Sequence, residues 1–203
     1  MMADTEAGPQ PVGTLWLLDL QHSINNIVSP RIAANVERAG SEAATLLAAA
    51  MGLDEPAPVH ERFASGRRCY LAWVDGALAS YGWVSFKEEW ISELGLYIRL
   101  ASGDAYLWDC ATLPAYRGQG LYPALLAHIA AELRAEGLRR VWIGADTDSL
   151  PSQKGIIRAG FQPIADFFPA PATSAQRFQV RGRAGVPEKL VLDARDALLA
   201  DAE

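Results

Sequence analysis

The stretch from Ala105 to Leu133 reads AYLWDCATLPAYRGQGLYPALLAHIAAEL and predicts a strand, a glycine-containing turn and a helix, in that order. The first eight residues are rich in apolar and aromatic types, as in a short buried strand, and Pro114 ends them. Pro123 suits a first helical turn. After the turn, apolar residues recur at helical spacing: Leu121, Leu125, Leu126, Ile129 and Leu133. The helix therefore begins directly after Arg117-Gly118-Gln119-Gly120.

The junction between this turn and the helix is suited to binding an anion. A helix start leaves about four backbone N–H groups without intrahelical partners and carries roughly half a positive charge. Gly118 and Gly120 let a ligand approach the main chain closely, and Arg117 adds a bidentate, charged donor. A phosphate or pyrophosphate group fits these features best.

Two common phosphate-binding motifs do not fit this turn. A P-loop ends in Gly-Lys-Ser/Thr, which the turn lacks, and a dinucleotide fingerprint has a third glycine at the helix start, where this chain has Pro123. For the six residues alone, the alternative is a strand-to-helix turn that needed flexible residues and binds nothing.

The segment Arg117-x-x-Gly120-x-Tyr122, which follows a predicted strand and Pro114, resembles the pyrophosphate loop of the GNAT family of acyl-CoA-dependent N-acyltransferases. In that family the motif reads Arg or Gln, two residues, Gly, one residue, then Gly or Ala. Tyr122 departs from the last position. A loop that binds mainly through main-chain N–H groups tolerates a side chain that points away from the ligand.

A second segment similar to the family lies downstream, after a predicted strand from Leu138 to Ala145. The family has an asparagine, a small residue and a helix ending in Gly-Phe, which packs beside the pantetheine arm. In this chain Ser152 stands at the small polar position and Arg158-Ala159-Gly160-Phe161 at the ending, while Ser149 replaces the asparagine. The two matched segments occur in the right order, and the resemblance covers about Thr14 to Arg181.

The resemblance implies an α/β (α+β) fold with a mixed, mostly antiparallel central sheet flanked by helices. The order of predicted elements agrees with it, since antiparallel strands come first and a strand-helix-strand-helix-strand series follows. We expect a flexible leader over residues 1–12, an acetyltransferase domain over residues 13–183 and a helical tail over residues 184–203.

The resemblance also implies that acetyl-CoA is the co-substrate and that an amine attacks its thioester directly. Two neighbouring strands, ending at Thr112 and Ala145, would part and hold the pantetheine arm between them. By this resemblance the cofactor-binding residues are Cys110, Ala111, Thr112, Arg117, Gly118, Gln119, Gly120, Leu121, Tyr122 and Ser152.

Direct attack needs a base to take the amine proton and a donor to protonate the leaving thiolate. Glu93 and Asp109 are the candidate bases, because each is a carboxylate in a segment predicted to be an apolar strand. For Asp109 the alternative is a structural role, either capping a turn or pairing with an arginine. Where many family members carry a glutamate, this chain has Tyr106 or Trp108.

The proton donor is also unusual. A tyrosine is frequent in the family four residues before the glycine of Gly-Phe, and here that position is Ile156. Tyr122 and Ser152 are candidate donors, with a core tyrosine and a helix-capping serine as the alternatives. Cys110 has no histidine placed near it in a recognisable pattern, which disfavours it as a nucleophile.

Sequence patterns also predict secondary structure outside the two motifs. Asp75-Gly76 is a strong signal for a two-residue hairpin turn. The predicted segments are a strand over Thr14–Leu20, a helical segment over Pro30–Gly52 with a break at Gly40-Ser41, strands over Arg68–Val74 and Ala77–Phe86, a single strand over Ile91–Leu100, and a final helix over Pro187–Ala202.

Composition excludes several classes of function. The chain has 18 basic and 24 acidic residues, a net charge of −6 and a pI near 5.1, which argues against a nucleic-acid-binding surface. Three scattered histidines give no metal-ligand spacing, and two cysteines inside predicted strands indicate buried thiols. No apolar run approaches the roughly 20 residues that span a bilayer, and the first 13 residues contain no apolar signal core. We expect a cytoplasmic protein, monomeric or homodimeric.

The leading hypothesis is an N-acetyltransferase that moves an acetyl group from acetyl-CoA to a primary amine. A non-catalytic acyl-CoA-binding module is the main alternative, and a small-molecule binder without a CoA site is the other. The acceptor stays open, because the segment that would select it, Gln21 to Gly66, has the weakest pattern in the chain.

Overall fold

The computed structural model describes residues 9–22, 28–171, 173–174 and 177–198. The predicted leader therefore lies mostly outside the described residues, as does the end of the predicted tail. The strands are β1 (Gly13–Asp19), β2 (Asn35–Ala39), β3 (Arg68–Val74), β4 (Ala77–Ser85), β5 (Glu88–Ile91), β6 (Leu96–Arg99), β7 (Asp104–Thr112), β8 (Arg140–Asp146), β9 (Gln162–Pro169) and β10 (Phe178–Gly182). The helices are α1 (Ala44–Met51), α2 (Ala57–Ala64), α3 (Leu121–Ala135), α4 (Leu150–Arg158) and α5 (Glu188–Leu198).

Eight strands form one central sheet in the order β10-β9-β1-β8-β7-β4-β3-β2. All neighbours in this sheet are antiparallel except β7 and β8, which run parallel. Strands β5 and β6 form a separate hairpin. This arrangement confirms the expected mixed, mostly antiparallel sheet flanked by helices.

Helices cover both faces of the sheet because the central strands are apolar on both sides. Ala105 and Leu107 of β7 pack with the buried face of α3, which contributes Leu125 and Ile129 among others. The intervening Tyr106 belongs to a second core cluster, which contains residues of α5 and of the β5–β6 hairpin. The alternation follows from the two-residue period of a strand. No described helix is long and apolar enough to cross a bilayer.

The strand, turn and helix predicted for Ala105 to Leu133 are all present, and so is the hairpin turn of Asp75-Gly76. Asp75 and Gly76 have φ values of 49° and 78°, the left-handed pair that a two-residue hairpin turn requires. The predicted strand from Leu138 to Ala145 is present as β8, the helix of the second segment as α4 and the final helix as α5.

The prediction of helix over Pro30–Gly52 was wrong in its first half. Asn35–Ala39 is an edge strand, β2, and pairs antiparallel with β3, so that only the part after Gly40 is helical. Val36 packs against the core while Glu37 accepts a hydrogen bond from the indole of Trp73 on β3. The open edge of β3 therefore decided the conformation of a segment whose own propensity is weak.

The prediction of a single strand over Ile91–Leu100 was also wrong. The chain turns at 92–95, where Gly95 has a φ of 62°, and β5 pairs back onto β6. Trp90 and Tyr97 stack across this hairpin with ring centroids 5.0 Å apart. Glu93 consequently lies in the turn and not in a strand.

Strands β7 and β8 pair at one end only. Their parallel register runs from Asp104 opposite Arg140 to Leu107 opposite Ile143 and then stops, although both strands continue. On its other side β7 shifts register against β4, so that Asp109 and Cys110 both face Gly82. Such a bulge bends the strand that carries the extra residue. The gap between β7 and β8 begins after Leu107 and Ile143, and the bulge lies in the unpaired part of β7.

The closed end of this gap is held by a buried carboxylate. Asp104, at the start of β7, is 3% exposed and accepts hydrogen bonds from Arg140 Nε and Nη2 at 3.0 and 2.8 Å and from the indole of Trp142 at 3.0 Å. Arg140 also pairs with Asp193 of α5. One acidic side chain thus ties together two strands, and through the arginine also a helix.

We predict that Asp104→Ala lowers the free energy of unfolding by about 3 kcal/mol or more, because it leaves the Arg140 guanidinium partly buried without its main partner. Urea unfolding followed by circular dichroism measures this loss. The control is Glu88→Ala, which removes only an exposed ion pair with Arg99 and should cost at most about 1 kcal/mol. Equal losses in the two variants would contradict the anchoring role of Asp104.

Candidate active site

A cleft of about 460 Å³ lies between the turn before α3 and the first turns of α4. We call it the loop cleft. Nine of the ten expected cofactor-binding residues line it: Cys110, Ala111, Thr112, Arg117, Gly118, Gly120, Leu121, Tyr122 and Ser152. The tenth, Gln119, does not line the cleft, and its carbonyl accepts a hydrogen bond from the N–H of Arg31 at 2.7 Å.

The turn leaves the main chain open toward the cleft. Gly118 and Gly120 have φ values of 76° and 77°, which a residue with a side chain rarely adopts. A Cβ at Gly118 would have no described atom within 4 Å. The hydrogen bonds of the described residues leave the N–H groups of Leu121 and Tyr122, at the start of α3, without an acceptor. These free donors and the helix dipole favour an anion.

Two cations of the loop cleft were not among the predicted cofactor-binding residues, although one of them, Arg158, belongs to the matched ending of the second segment. Lys154 and Arg158 of α4 line the same cleft as Arg117, so that three positive side chains face one space. Residues four apart lie on one face of a helix, and this spacing was the signal that could have found the pair.

A second cavity, of about 390 Å³, occupies the gap between β7 and β8 beneath the turn of the β5–β6 hairpin. We call it the sheet cavity. Cys110, Tyr122 and Ser152 line both this cavity and the loop cleft. The two spaces therefore meet at these three residues, one on each side of the opened sheet.

Both predicted carboxylates line the sheet cavity, although neither lies in regular strand. Glu93 reaches it from the hairpin turn, and no described cation forms an ion pair with it. Asp109 lies at the bulge with a φ of 41° and pairs with Arg62 at 2.5 Å. Arg62 in turn stacks 4.5 Å from the ring of Trp108. The alternative considered for Asp109, pairing with an arginine, is what the structure contains.

A third carboxylate of the sheet cavity, Asp146, was not singled out from sequence. It is the last residue of β8, and partial burial together with the negative charges of Glu93 and Asp148 raises its pKa. A polar residue at the carboxyl end of a central strand was the available signal. Among the described residues, no group of three or more His, Cys, Asp and Glu side chains is arranged to hold a metal ion.

The junction of the two spaces contains a thiol and two hydroxyl groups. Burial, with a smaller effect of Asp109, raises the pKa of Cys110 to about 12, and its thiol donates to the carbonyl of Trp108 at 3.3 Å. Cys110 is therefore a neutral thiol at physiological pH and a poor nucleophile. The hydroxyl of Tyr122 lies 3.1 Å from Oγ of Ser152, which joins α3 to α4 across the junction.

Comparison with family models matched residues 41–161 to the acetyltransferase (GNAT) family. No curated protein matched the sequence. The matched range contains the loop cleft and most of the sheet cavity.

Several solved structures share the fold. An acetyltransferase of the GNAT family from Colwellia psychrerythraea is 18% identical, with a TM-score of 0.55, and is aligned over 87% of this chain and 58% of its own. A tandem GNAT protein from the clavulanic acid biosynthesis pathway is 24% identical, with a TM-score of 0.52, over 77% of this chain and 51% of its own. An aminoglycoside N-acetyltransferase in complex with CoA is 15% identical, with a TM-score of 0.50, over 63% of this chain and 91% of its own.

At these identities the likeness to solved structures shows only a shared fold. This chain spans little more than half the length of the Colwellia psychrerythraea protein and of the tandem GNAT protein. The family match, in contrast, comes from the sequence itself. It extends over more than half of the chain. The match includes both segments in which the resemblance was found. The chain belongs to the acetyltransferase (GNAT) family.

Proposed function

We propose that this chain transfers an acetyl group from acetyl-CoA to a primary amine by direct attack of the amine on the thioester. The observation that carries the proposal is the junction of the two spaces. A cleft with cations and free N–H groups, suited to an anionic cofactor, meets a cavity with unpaired carboxylates, suited to a cationic amine, at Cys110, Tyr122 and Ser152.

We assign the pyrophosphate of CoA to the loop cleft. The N–H groups of Leu121 and Tyr122 and the guanidinium of Arg117 would bind it, with Lys154 and Arg158 adding positive charge. Gln119 would act indirectly, because its carbonyl fixes the loop to Arg31. Main-chain contact with the turn requires that no side chain project into this space, which is the role of the two glycines.

The pantetheine arm would follow the edge of β7 that β8 leaves free. Beyond Leu107 the parallel pairing has ended, so the main-chain groups of Cys110, Ala111 and Thr112 on this side have no strand beside them. An extended, amide-containing arm can bind to such an edge in the way that a peptide adds a strand to a sheet. This pose directs the thioester through the gap toward the sheet cavity.

The amine would approach from the sheet cavity. Glu93 and Asp146 line this cavity, and no described cation forms an ion pair with either, so they attract a protonated amine to its entrance. Attack requires the neutral amine, and a carboxylate or a water bound to it would take the proton. We assign this role to Glu93, because Arg62 already occupies the carboxylate of Asp109. Main-chain N–H groups at the bulge would polarise the thioester carbonyl.

The first test measures binding and turnover together. We expect the protein to bind acetyl-CoA in calorimetry and to release free CoA when incubated with a panel containing a diamine, an arylalkylamine, an amino sugar and an amino acid amide. Gly120→Asp should weaken acetyl-CoA binding at least tenfold, because it adds charge and bulk where the pyrophosphate would lie, a loss of about 1.4 kcal/mol.

Gly185→Asp is the matched control for this test. Gly185 is an exposed loop glycine with a φ of 81° and no described atom within 4 Å of its Cβ position, so both variants carry the same backbone strain. Unchanged acetyl-CoA affinity in Gly120→Asp would remove the pyrophosphate from the loop cleft. Binding by the wild type without transfer to any amine of the panel would favour a non-catalytic acyl-CoA-binding module.

The second test concerns the base. Glu93→Gln should lower kcat about a hundredfold at neutral pH, the usual size of a general-base contribution, with little change in acetyl-CoA affinity. Asp109→Asn should have a smaller effect on kcat, because asparagine tolerates the left-handed backbone and the carboxylate of Asp109 is already paired. Glu88→Gln, on the same hairpin but outside the cavity, is the control. A larger loss of kcat in Asp109→Asn than in Glu93→Gln would assign the base to Asp109.

A further inference from the structure

The leaving thiolate of CoA needs a proton, and helix α4 supplies only one hydroxyl group for it. The helix reads LPSQKGIIR, in which Ser152 is the sole hydroxyl-bearing residue. Ile156 is fully buried in the core below α3. Any stronger donor at the junction must therefore come from another element.

Tyr122 of α3 reaches the junction from the opposite side. Its ring packs against the core that contains Ile156, and its hydroxyl lies 3.1 Å from Oγ of Ser152. It lines the loop cleft and the sheet cavity alike. The hydroxyl is thus located where the sulfur of a CoA bound through the gap would pass from one space to the other.

The ring of Tyr122 is seated on a glycine of α4. A Cβ at Gly155 would lie 2.4 Å from Cδ1 and 2.8 Å from Cε1 of Tyr122, distances at which one of the two residues must move. Glycine inside a helix costs about 1 kcal/mol relative to alanine. The position is therefore occupied by a residue that disfavours the helix but leaves room for the tyrosine ring.

We propose that Tyr122 is the acid that protonates the CoA thiolate, with Gly155 as the seat of its ring and Ser152 as a positioning residue. The inference rests on the proposed function and adds to it the source of the proton. Two features that looked independent in the sequence, a large residue at 122 and an apolar one at 156, then belong to one arrangement.

The proposed step balances as follows. The amine nitrogen forms a bond to the acyl carbon while the bond from that carbon to sulfur breaks, and the sulfur takes the electron pair. The proton of the Tyr122 hydroxyl moves to sulfur, and the base takes the proton of the attacking nitrogen. Tyr122 regains a proton from solvent through the hydroxyl of Ser152, and the base releases its own to solvent.

Burial keeps the groups at the junction in their protonated forms. Burial raises the pKa of Tyr122, so its hydroxyl is protonated throughout the neutral range and available as a donor. The same burial raises the pKa of the neighbouring Cys110 thiol to about 12. A thiolate of CoA formed beside Cys110 would be disfavoured for the same reason and would take up a proton readily.

The test titrates the thiol of CoA in its complex with the protein, by the ultraviolet absorbance of the thiolate, and so needs no acceptor. A hydroxyl that donates to the sulfur stabilises the thiolate, so Tyr122→Phe should lower the thiolate fraction of bound CoA roughly tenfold at a given pH. The phenyl ring keeps its seat on Gly155, and thermal unfolding verifies the fold. Tyr97→Phe removes a tyrosine hydroxyl outside both spaces and should leave the titration unchanged. Equal titrations of wild type and Tyr122→Phe would overturn the inference.

Turnover with acetyl-CoA and the best amine of the panel provides a second measurement. Tyr122→Phe should lower kcat at least tenfold while the affinity for CoA stays within a factor of about three. Gly155→Ala should lower kcat in the wild type but not further in Tyr122→Ala, where no ring meets the new methyl group. An equal loss of kcat from Gly155→Ala in the wild type and in Tyr122→Ala would contradict the proposed role of Gly155 in holding the Tyr122 ring. If the wild type binds no CoA, the proposed function itself fails, whereas an active enzyme with unaffected Tyr122→Phe would remove only the inference.

Discussion

The site depends on one irregularity of the backbone. Opposite Gly82 of β4, strand β7 carries two residues, Asp109 and Cys110, and Asp109 adopts a left-handed conformation with a φ of 41°. For a residue with a side chain this costs about 1–2 kcal/mol, which the ion pair to Arg62 and the stacking of Arg62 on Trp108 offset in part. The bulge lies in the part of β7 that β8 leaves unpaired, and this gap is the passage between the loop cleft and the sheet cavity. A regular strand would have continued the sheet and closed it.

At one end of this passage the local charge is opposite in sign to the net charge of the protein. A chain of net charge −6 cannot attract an anionic cofactor through its overall field. Three cations, Arg117, Lys154 and Arg158, and the start of α3 instead create a local positive region at one end. At the other end Glu93 and Asp146 are unpaired among the described residues. Since salt screens exposed charges beyond about 8–10 Å, only such short-range groups can give the two ends local potentials of opposite sign.

Much of this arrangement could be predicted from sequence where local physics decides the conformation. The glycines at 118 and 120, the apolar repeat of α3 and the Asp75-Gly76 turn each act within a few residues, and the structure contains all of them. The errors occurred where a distant partner decides. Asn35–Ala39 is a strand because β3 offers an open edge, and Glu93 lies in a turn because β5 pairs with β6. The seating of Tyr122 on Gly155 joins two helices, and no pattern within either helix contains it.

The shared arginine at the closed end of the gap connects the end of the chain to its centre. Arg140 pairs at once with Asp104, where β7 begins, and with Asp193 of α5, which packs over β6, β9 and β10. The angle at which the two central strands part is therefore braced from outside by the C-terminal helix. That helix, predicted from sequence to be a separate tail, supports the closed end of the gap through Arg140. Shortening it or attaching cargo to it would change the width of the passage from a distance, without touching any residue that lines it.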